Sequence, residues 1–221
     1  NTCINEMRGG ARIGCVVNGA AGRETMFADA KPPHGERIAV IGAGPAGLTY
    51  ASLVAGGNSV TVFERDARAG GSFRYAGKAP LFQEVEANEA SFQRYIADMV
   101  GACETRGVVF RFAIDLAKAP EQLAPFDRIV IATGAAYRLG LGPFAIWALD
   151  RGAARMPGIS QLFSSGIVRD WFYYRARRGT ADRYRKLAQP GQVVTVIGDA
   201  VSAGKSKQAI SSAFDAALLG G

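Results

Sequence analysis

Histidine is nearly absent from this chain. Its 221 residues include one, His34, in the loop Lys31-Pro32-Pro33-His34-Gly35. That leaves no partner set for a Ser-His-Asp triad and no imidazole cluster for zinc, so hydrolase and zinc-enzyme chemistry lack their parts. Cysteine is scarce as well. Three residues are too few for a disulfide scaffold, and a reducing cytoplasm is the expected setting. No apolar run approaches the ~18 residues of a membrane span, and the N-terminal stretch lacks the uninterrupted apolar core of a signal peptide. A membrane is therefore not expected as a partner. Nor is nucleic acid. The net charge is +7, but residues 138–188 hold ten Lys/Arg against three Asp/Glu, which accounts for the whole excess. A nucleic-acid face would have to rest on that one segment.

What is present begins with Arg37-Ile38-Ala39-Val40-Ile41, a run that reads as a buried parallel strand, followed at once by Gly42-Ala43-Gly44-Pro45-Ala46-Gly47. Pro45 suits the first turn of a helix, and Ala46–Ala55 continues it. A second strand, Ser59–Phe63, ends in Glu64, about twenty residues beyond the glycines. Strand, glycine turn, helix, strand and acid form the dinucleotide-binding fingerprint in its full context. Gly42 allows the tight turn, Gly44 lets a pyrophosphate approach the backbone, and Gly47 lets the helix pack close to the strand. The N-terminus of the helix supplies N–H groups and partial positive charge to phosphate. Glu64 stands where a carboxylate accepts ribose hydroxyls. It disfavours a 2′-phosphate, although neighbouring Arg65 weakens that preference.

Further along, residues 68–79 form a glycine-rich loop, and Ser91–Arg106 has the apolar spacing of a helix, with Cys103 on its core face. Val108–Phe112, Arg128–Gly134 and Gln192–Ile197 read as strands, and Lys205–Leu219 as a final helix. This alternation predicts an α/β, Rossmann-like domain with a mainly parallel sheet. It divides into an irregular arm over 1–36, a dinucleotide-binding domain over 37–137 and 189–221, and a basic helical insertion over 138–188. In the insertion, Ile167, Trp171, Tyr174, Ala181, Tyr184 and Ala188 recur near helical spacing. This predicts two helices broken at Gly179-Thr180 that cap a sheet edge. The alternative is a docking face for an acidic redox partner or a cover for a flavin.

Three short turns carry a resemblance. Gly70-Gly71-Ser72, Ala132-Thr133-Gly134 and Val196-Ile197-Gly198-Asp199-Ala200 follow the fingerprint in the order and spacing seen in the glutathione-reductase-like flavoproteins. The resemblance implies FAD at the fingerprint. Gly71 and Ser72 would lie near the pyrophosphate, Thr133 and Gly134 in the second turn, and Asp199 on the ribityl chain. The helix N-terminus, starting near Ser202 and including Ala203, would face the flavin ring.

At the other end, Cys3-Ile4 … Ile13-Gly14-Cys15-Val16-Val17-Asn18-Gly19 … Gly22-Arg23-Glu24 is similar to the junction in the trimethylamine dehydrogenase and 2,4-dienoyl-CoA reductase (NADH:flavin oxidoreductase) family. In that family an FMN-binding barrel precedes a four-cysteine [4Fe–4S] site and a nucleotide domain. Cys3 and Cys15 correspond to its last two cluster ligands, and a complete set would need cysteines upstream of Asn1. The resemblance also implies a barrel-containing or electron-transfer subunit as partner.

It departs from the family between the second and third turns, where residues 135–196 are too few for a complete NAD(P)H domain. Gly140-x-Gly142-x-x-Ala145 has no preceding strand and contains Pro143, so it does not read as a second fingerprint. Gly198 and Gly204-Lys205-Ser206 miss the phosphate-loop spacing by one residue. Two functions follow. One is a flavin-dependent oxidoreductase domain that relays electrons through FAD. The other is an ADP-binding assembly module without redox chemistry of its own. No residue stands out as a substrate acid or base.

Overall fold

The computed structural model describes residues 7–10, 13–76, 88–137, 147, 151, 156–158, 161, 165–171 and 175–220. Its centre is a parallel sheet of β1 (Arg37–Ile41), β2 (Ser59–Phe63), β3 (Val109–Arg111), β4 (Arg128–Ile131) and β7 (Val193–Val196). The strand order is β3-β2-β1-β4-β7. Every pairing is parallel and in continuous register, from Arg37 opposite Ser59 to Ile131 opposite Val196.

A parallel sheet must be covered on both faces, and β1 shows how its sequence meets that need. Side chains alternate across a strand, so Ile38 and Val40 point to one face and Ala39 and Ile41 to the other. On the first face they join Val60, Val62 and Val130 beneath three helices: α1 (Pro45–Val54), α3 (Glu89–Thr105) and α6 (Ser206–Leu218). Leu48, Tyr50, Cys103, Ala213 and Ala217 supply the buried helical side. On the second face Ala39, Ile41, Phe63, Ile129 and Ile131 pack against Leu116, Leu123, Ala181, Tyr184 and Ala200. Each fully buried Ile, Leu or Val contributes about 1.5–3 kcal/mol of transfer free energy, which explains why these short strands hold together.

The boundaries follow local chemistry. Pro45 opens α1, where its missing N–H leaves no bond unmade. Asn88 caps α3 by accepting the Ser91 N–H at 3.2 Å. The strand expected over 128–134 ends at Ile131, because Gly134 has φ +70° and turns the chain into β5 (Ala135–Tyr137).

The basic segment differs from the helical insertion that its spacing suggests. Its described residues include α4 (Gly166–Asp170), a strand β6 (Arg177–Gly179) and α5 (Ala181–Arg185). Strand β6 pairs antiparallel with β5, Ala135 opposite Gly179 and Tyr137 opposite Arg177. The segment therefore leaves and rejoins the domain through a two-stranded neck. Moreover, α5 covers a sheet face, with Ala181 and Tyr184 buried in the second core, rather than an edge. The β7 edge leaves Val193 and Val194 partly exposed. Tyr174 and Gly140–Ala145 lie outside the described residues.

Residues 13–33 are irregular apart from a short 3-10 turn at Glu24–Met26, and they dock onto α6. Arg23 donates to Ser211 Oγ at 2.6 Å and pairs with Asp215, while Phe27 meets Phe214 with ring centroids 6.1 Å apart.

Candidate nucleotide site

Because the strands run parallel, their carboxyl ends share one edge of the sheet. The strand order reverses direction at β1, with β2 and β3 on one side and β4 and β7 on the other. Open α/β sheets bind ligands at such a switch point, outside the carboxyl ends. The fingerprint follows β1, Glu64 follows β2, Thr133-Gly134 follows β4 and Gly198-Asp199 follows β7. Topology alone therefore brings four of the sequence motifs to one edge.

The glycines of the fingerprint are set by contact. Gly42 has φ +108°, and a Cβ there would stand 2.6 Å from the Ala132 carbonyl oxygen. A Cβ on Gly47 would lie 2.0 Å from the Gly42 carbonyl oxygen, so α1 can approach β1 only with glycine here. Gly44 is different, because a Cβ built on it meets no atom within 4 Å. It faces open space at the start of α1. Gly71 borders the same space, since its Cβ would stand 3.3 Å from Gly44 Cα. The Gly70 N–H donates to the Ala43 carbonyl at 2.8 Å and ties the double-glycine loop to the fingerprint. The result is a cradle of bare backbone beside the first-turn N–H groups of Ala46 and Gly47, a form that suits a pyrophosphate. Ser72 is exposed at its rim.

Glu64 is buried, but its carboxylate is already engaged. Oε2 accepts the Ala43 N–H at 2.8 Å and Oε1 accepts the Asp66 N–H at 3.0 Å. The expectation that this acid reaches out to a ribose is therefore modified. Its oxygens hold the fingerprint turn, and a ribose would have to share them. Arg65 is largely exposed, 3.9 Å from Asp66. Asp66 instead pairs with Arg74, from the short helix α2 (Phe73–Ala76), beside the double-glycine loop.

At the far side of the edge, the Gly198 N–H donates to Ser212 Oγ at 2.8 Å, and a Gly198 Cβ would sit 2.9 Å from Ala46 Cβ. The third turn thus abuts the fingerprint helix. Asp199 Oδ1 accepts the Gly204 N–H at 3.2 Å, and Oδ2 accepts from Arg177 at 3.2 Å. Burial pushes the Asp199 carboxyl above its ordinary value, against the opposing pull of Arg177 and the Gly204 N–H. Thr133 Oγ1 is 2.7 Å from Thr180 Oγ1, and Thr180 Oγ1 lies 2.8 Å from the Gly134 carbonyl it donates to. The final helix starts at Ser206, not near Ser202, because the chain first makes a 3-10 turn over Gly198–Ala200. Ala203 lies in the connecting loop.

Arg177 and Thr180 are contributions that sequence reasoning missed. They belong to the neck, where the sequence spacing suggests two helices broken at Gly179-Thr180 rather than a strand. Of the proposed cluster ligands, Cys15 is a free, partly buried thiol in the arm, while Cys3 lies outside the described residues. Cys103 is fully buried, its thiol pushed up to about 11 by burial, which removes it as a ligand.

Residues 40–82 match the model of the NAD(P)-binding Rossmann-like domain. Over its whole length the chain superposes on a solved 2-naphthoyl-CoA reductase complex, with a TM-score of 0.75 and 16% identity, covering 99% of this chain and 45% of that one. The likeness shows a shared nucleotide-binding, Rossmann-like fold. The likeness extends to histamine dehydrogenase from Rhizobium sp. 4-9, with a TM-score of 0.66 and 14% identity, covering 97% and 49% of the two chains. Among curated sequences, the metal reductase of Desulforamulus reducens is 31% identical over 140 residues, 60% of this chain and 20% of the relative. The chain therefore spans about a fifth of that relative's length. These relatives are oxidoreductases, and the described helices include none long and apolar enough to cross a membrane.

Proposed function

We propose that this chain is the nucleotide-binding domain of a flavin-dependent oxidoreductase, with the ADP half of FAD at the fingerprint turn. The observation that carries this reading is the open cradle made by Gly44 and Gly71, bordered by Ala46 and closed at its far side by Gly198. Among the described residues no side chain fills that cradle, and α1 begins at it. Gly44, Gly71 and the N–H groups of Ala46 and Gly47 would hold the pyrophosphate. Glu64 and Arg65 would stand on the ribose side, with Thr133, Gly134, Asp199 and Ala203 toward the flavin half. Bound FAD would supply the capacity to take up and release electrons. The chain's own residues bind and orient it.

The arm holds one described thiol, Cys15. One thiol does not make a [4Fe–4S] site, and no electron step is drawn through one here. A cluster and a barrel belong to this proposal as properties of a longer polypeptide or of a partner subunit. A second reading, in which the cradle holds ADP and the domain serves assembly, draws on the same cradle, because ADP carries the same ribose and diphosphate as the ADP half of FAD.

Denaturing the purified protein and chromatographing the released nucleotide separates these readings. FAD, accompanied by flavin absorbance in the native protein, supports the first. ADP from a colourless preparation supports the second. Absence of any nucleotide, together with no binding of added FAD or ADP, overturns both.

A further inference from the structure

Strand β6 does more than close the neck. Side chains alternate along it, so Arg177 and Gly179 share one face and Arg178 takes the other. The face with Arg177 meets the two turns on the flavin side of the site. A Cβ on Gly179 would stand 2.2 Å from the Ala200 carbonyl oxygen, so the strand lies directly on the turn after β7. Just beyond the strand, Thr180 donates to the Gly134 carbonyl at 2.8 Å and lies 2.7 Å from Thr133 Oγ1. That contact ties the neck to the turn after β4. The Arg177 guanidinium itself donates to Asp199 Oδ2 at 3.2 Å. It also lies 5.9 Å from the ring centroid of Tyr137, its pairing partner in β5.

The ion pair is nearly enclosed, with side chains 12% and 16% exposed for Arg177 and Asp199. A carboxyl in such a place resists ionisation. Burial raises its value, while the charge of Arg177 and the Gly204 N–H oppose the rise. Among the described residues, no other charged group from the surrounding elements shifts Asp199. Removing the arginine would leave a buried carboxylate without its counter-charge. Ionised, a carboxylate only accepts hydrogen bonds, and it has about four acceptor sites. The bonds from Arg177 and Gly204 do not exhaust them, so Asp199 can still accept a hydroxyl. Protonated, it would turn one oxygen into a donor and loosen its hold on the guanidinium. The fingerprint cradle serves the half that ADP and FAD share. Asp199 serves what FAD has in addition.

We propose that Arg177 is a positioning residue that selects FAD over ADP, by holding Asp199 as a fixed acceptor for hydroxyls on the flavin side. The proposal rests on the FAD reading of the site. Through it the insertion takes part in cofactor choice, from a strand that lies outside the fingerprint.

The test is calorimetric titration of FAD and of ADP into the full chain, stripped of nucleotide, at several pH values between 4 and 8. At neutral pH, Arg177→Met should bind FAD about tenfold or more weakly, since a charge-assisted arrangement is lost, and should keep its affinity for ADP. FAD binding by the parent should decline as the pH falls and Asp199 takes up a proton. In Arg177→Met the decline should begin at higher pH, because the arginine no longer holds the carboxyl down. Arg177→Lys keeps the charge and should recover part of both the affinity and the parent profile. Asp199→Asn removes the titrating acceptor, so adding Arg177→Met to it should cost FAD little more. ADP affinity and Tm report whether each variant is folded, and Arg177→Lys carries the test should Arg177→Met unfold. Equal losses of FAD and ADP in a folded Arg177 variant, an unchanged FAD affinity, or a pH profile that does not move would overturn the proposal. A parent that binds FAD beside variants that bind it equally well overturns this proposal alone. A parent that binds ADP and not FAD overturns the FAD reading, and this proposal with it.

Discussion

The carboxylate of Glu64 receives the backbone N–H of Ala43 at 2.8 Å, joining the end of β2 to the turn after β1. A second backbone donor, from Asp66, lies 3.0 Å from its other oxygen. Glu64→Ala leaves two N–H groups without their charged acceptor at a buried site and should cost about 2–4 kcal/mol. Thermal denaturation checks the magnitude. Glu64→Gln, which retains one acceptor oxygen, should recover about half. Equal stability in all three proteins would show that the turn does not rely on this acid.

Gly44 and Gly47 are three positions apart in one motif and should behave in opposite ways. In Gly47→Ala the new methyl would collide with the Gly42 carbonyl, so stability should fall by about 3 kcal/mol. In Gly44→Ala the methyl enters open space, so the fold should survive with a Tm within a few degrees of the parent. Nucleotide affinity should fall sharply, because the methyl occupies the cradle. Tm and equilibrium binding measured on both variants distinguish the steric role from the binding role.

Arg37 and Asp127 link the starts of β1 and β4. The Asp127 carboxylate accepts the Arg37 backbone N–H and two guanidinium bonds, and it is held down at about 2, chiefly by the Arg37 side chain. A carboxyl whose value is lowered by folding stabilises the protein above its unfolded value of 3.8, and the gain disappears as the pH falls toward about 2. The difference in Tm between the parent and Asp127→Asn should therefore be largest near neutral pH. It should shrink between pH 4 and 2. A difference that stays constant across this range would assign the effect to geometry rather than charge.

The arm should come loose in Arg23→Ala. This variant loses the bond to Ser211 and the ion pair with Asp215, at a cost of about 1–2 kcal/mol. Limited proteolysis should then cut within residues 13–33 faster than in the parent, while the sheet remains resistant. Cys15 should also react faster with a thiol reagent. Cys103 should remain unreactive in both proteins until they unfold, because it is fully buried and its thiol is pushed up to about 11.

The motifs legible in the sequence are those dictated by steric contact over short separations. The roles of Gly42 and Gly47, the Pro45 helix start, strands β1 and β2 and the core place of Cys103 all follow from local pattern, and the structure has each of them. The neck was not legible. Strands β5 and β6 have three residues each, and the residues they pair lie about forty positions apart, so neither has enough alternation to register as a strand. Arg177 reads as surface charge until the fold places it against Asp199. The engagement of Glu64 was hidden for a related reason. Its position marks a ribose ligand by spacing, but only the closed turn shows two backbone donors already on its oxygens.

The neck also bears on how such a domain can vary. Where Ala135 faces Gly179, the chain departs and returns at neighbouring points, and the strands on either side, β4 and β7, are joined to each other directly. Whatever lies between these points closes a loop whose ends are already held. Lengthening a flexible loop twofold costs only ~0.6 kcal/mol. Segments of very different size could therefore be exchanged at this junction, from a short basic hairpin to an entire folded unit, while the hydrophobic layers on either side of the sheet remain as they are. The junction is a socket, and the same nucleotide cradle can acquire different attachments by changing what is plugged into it.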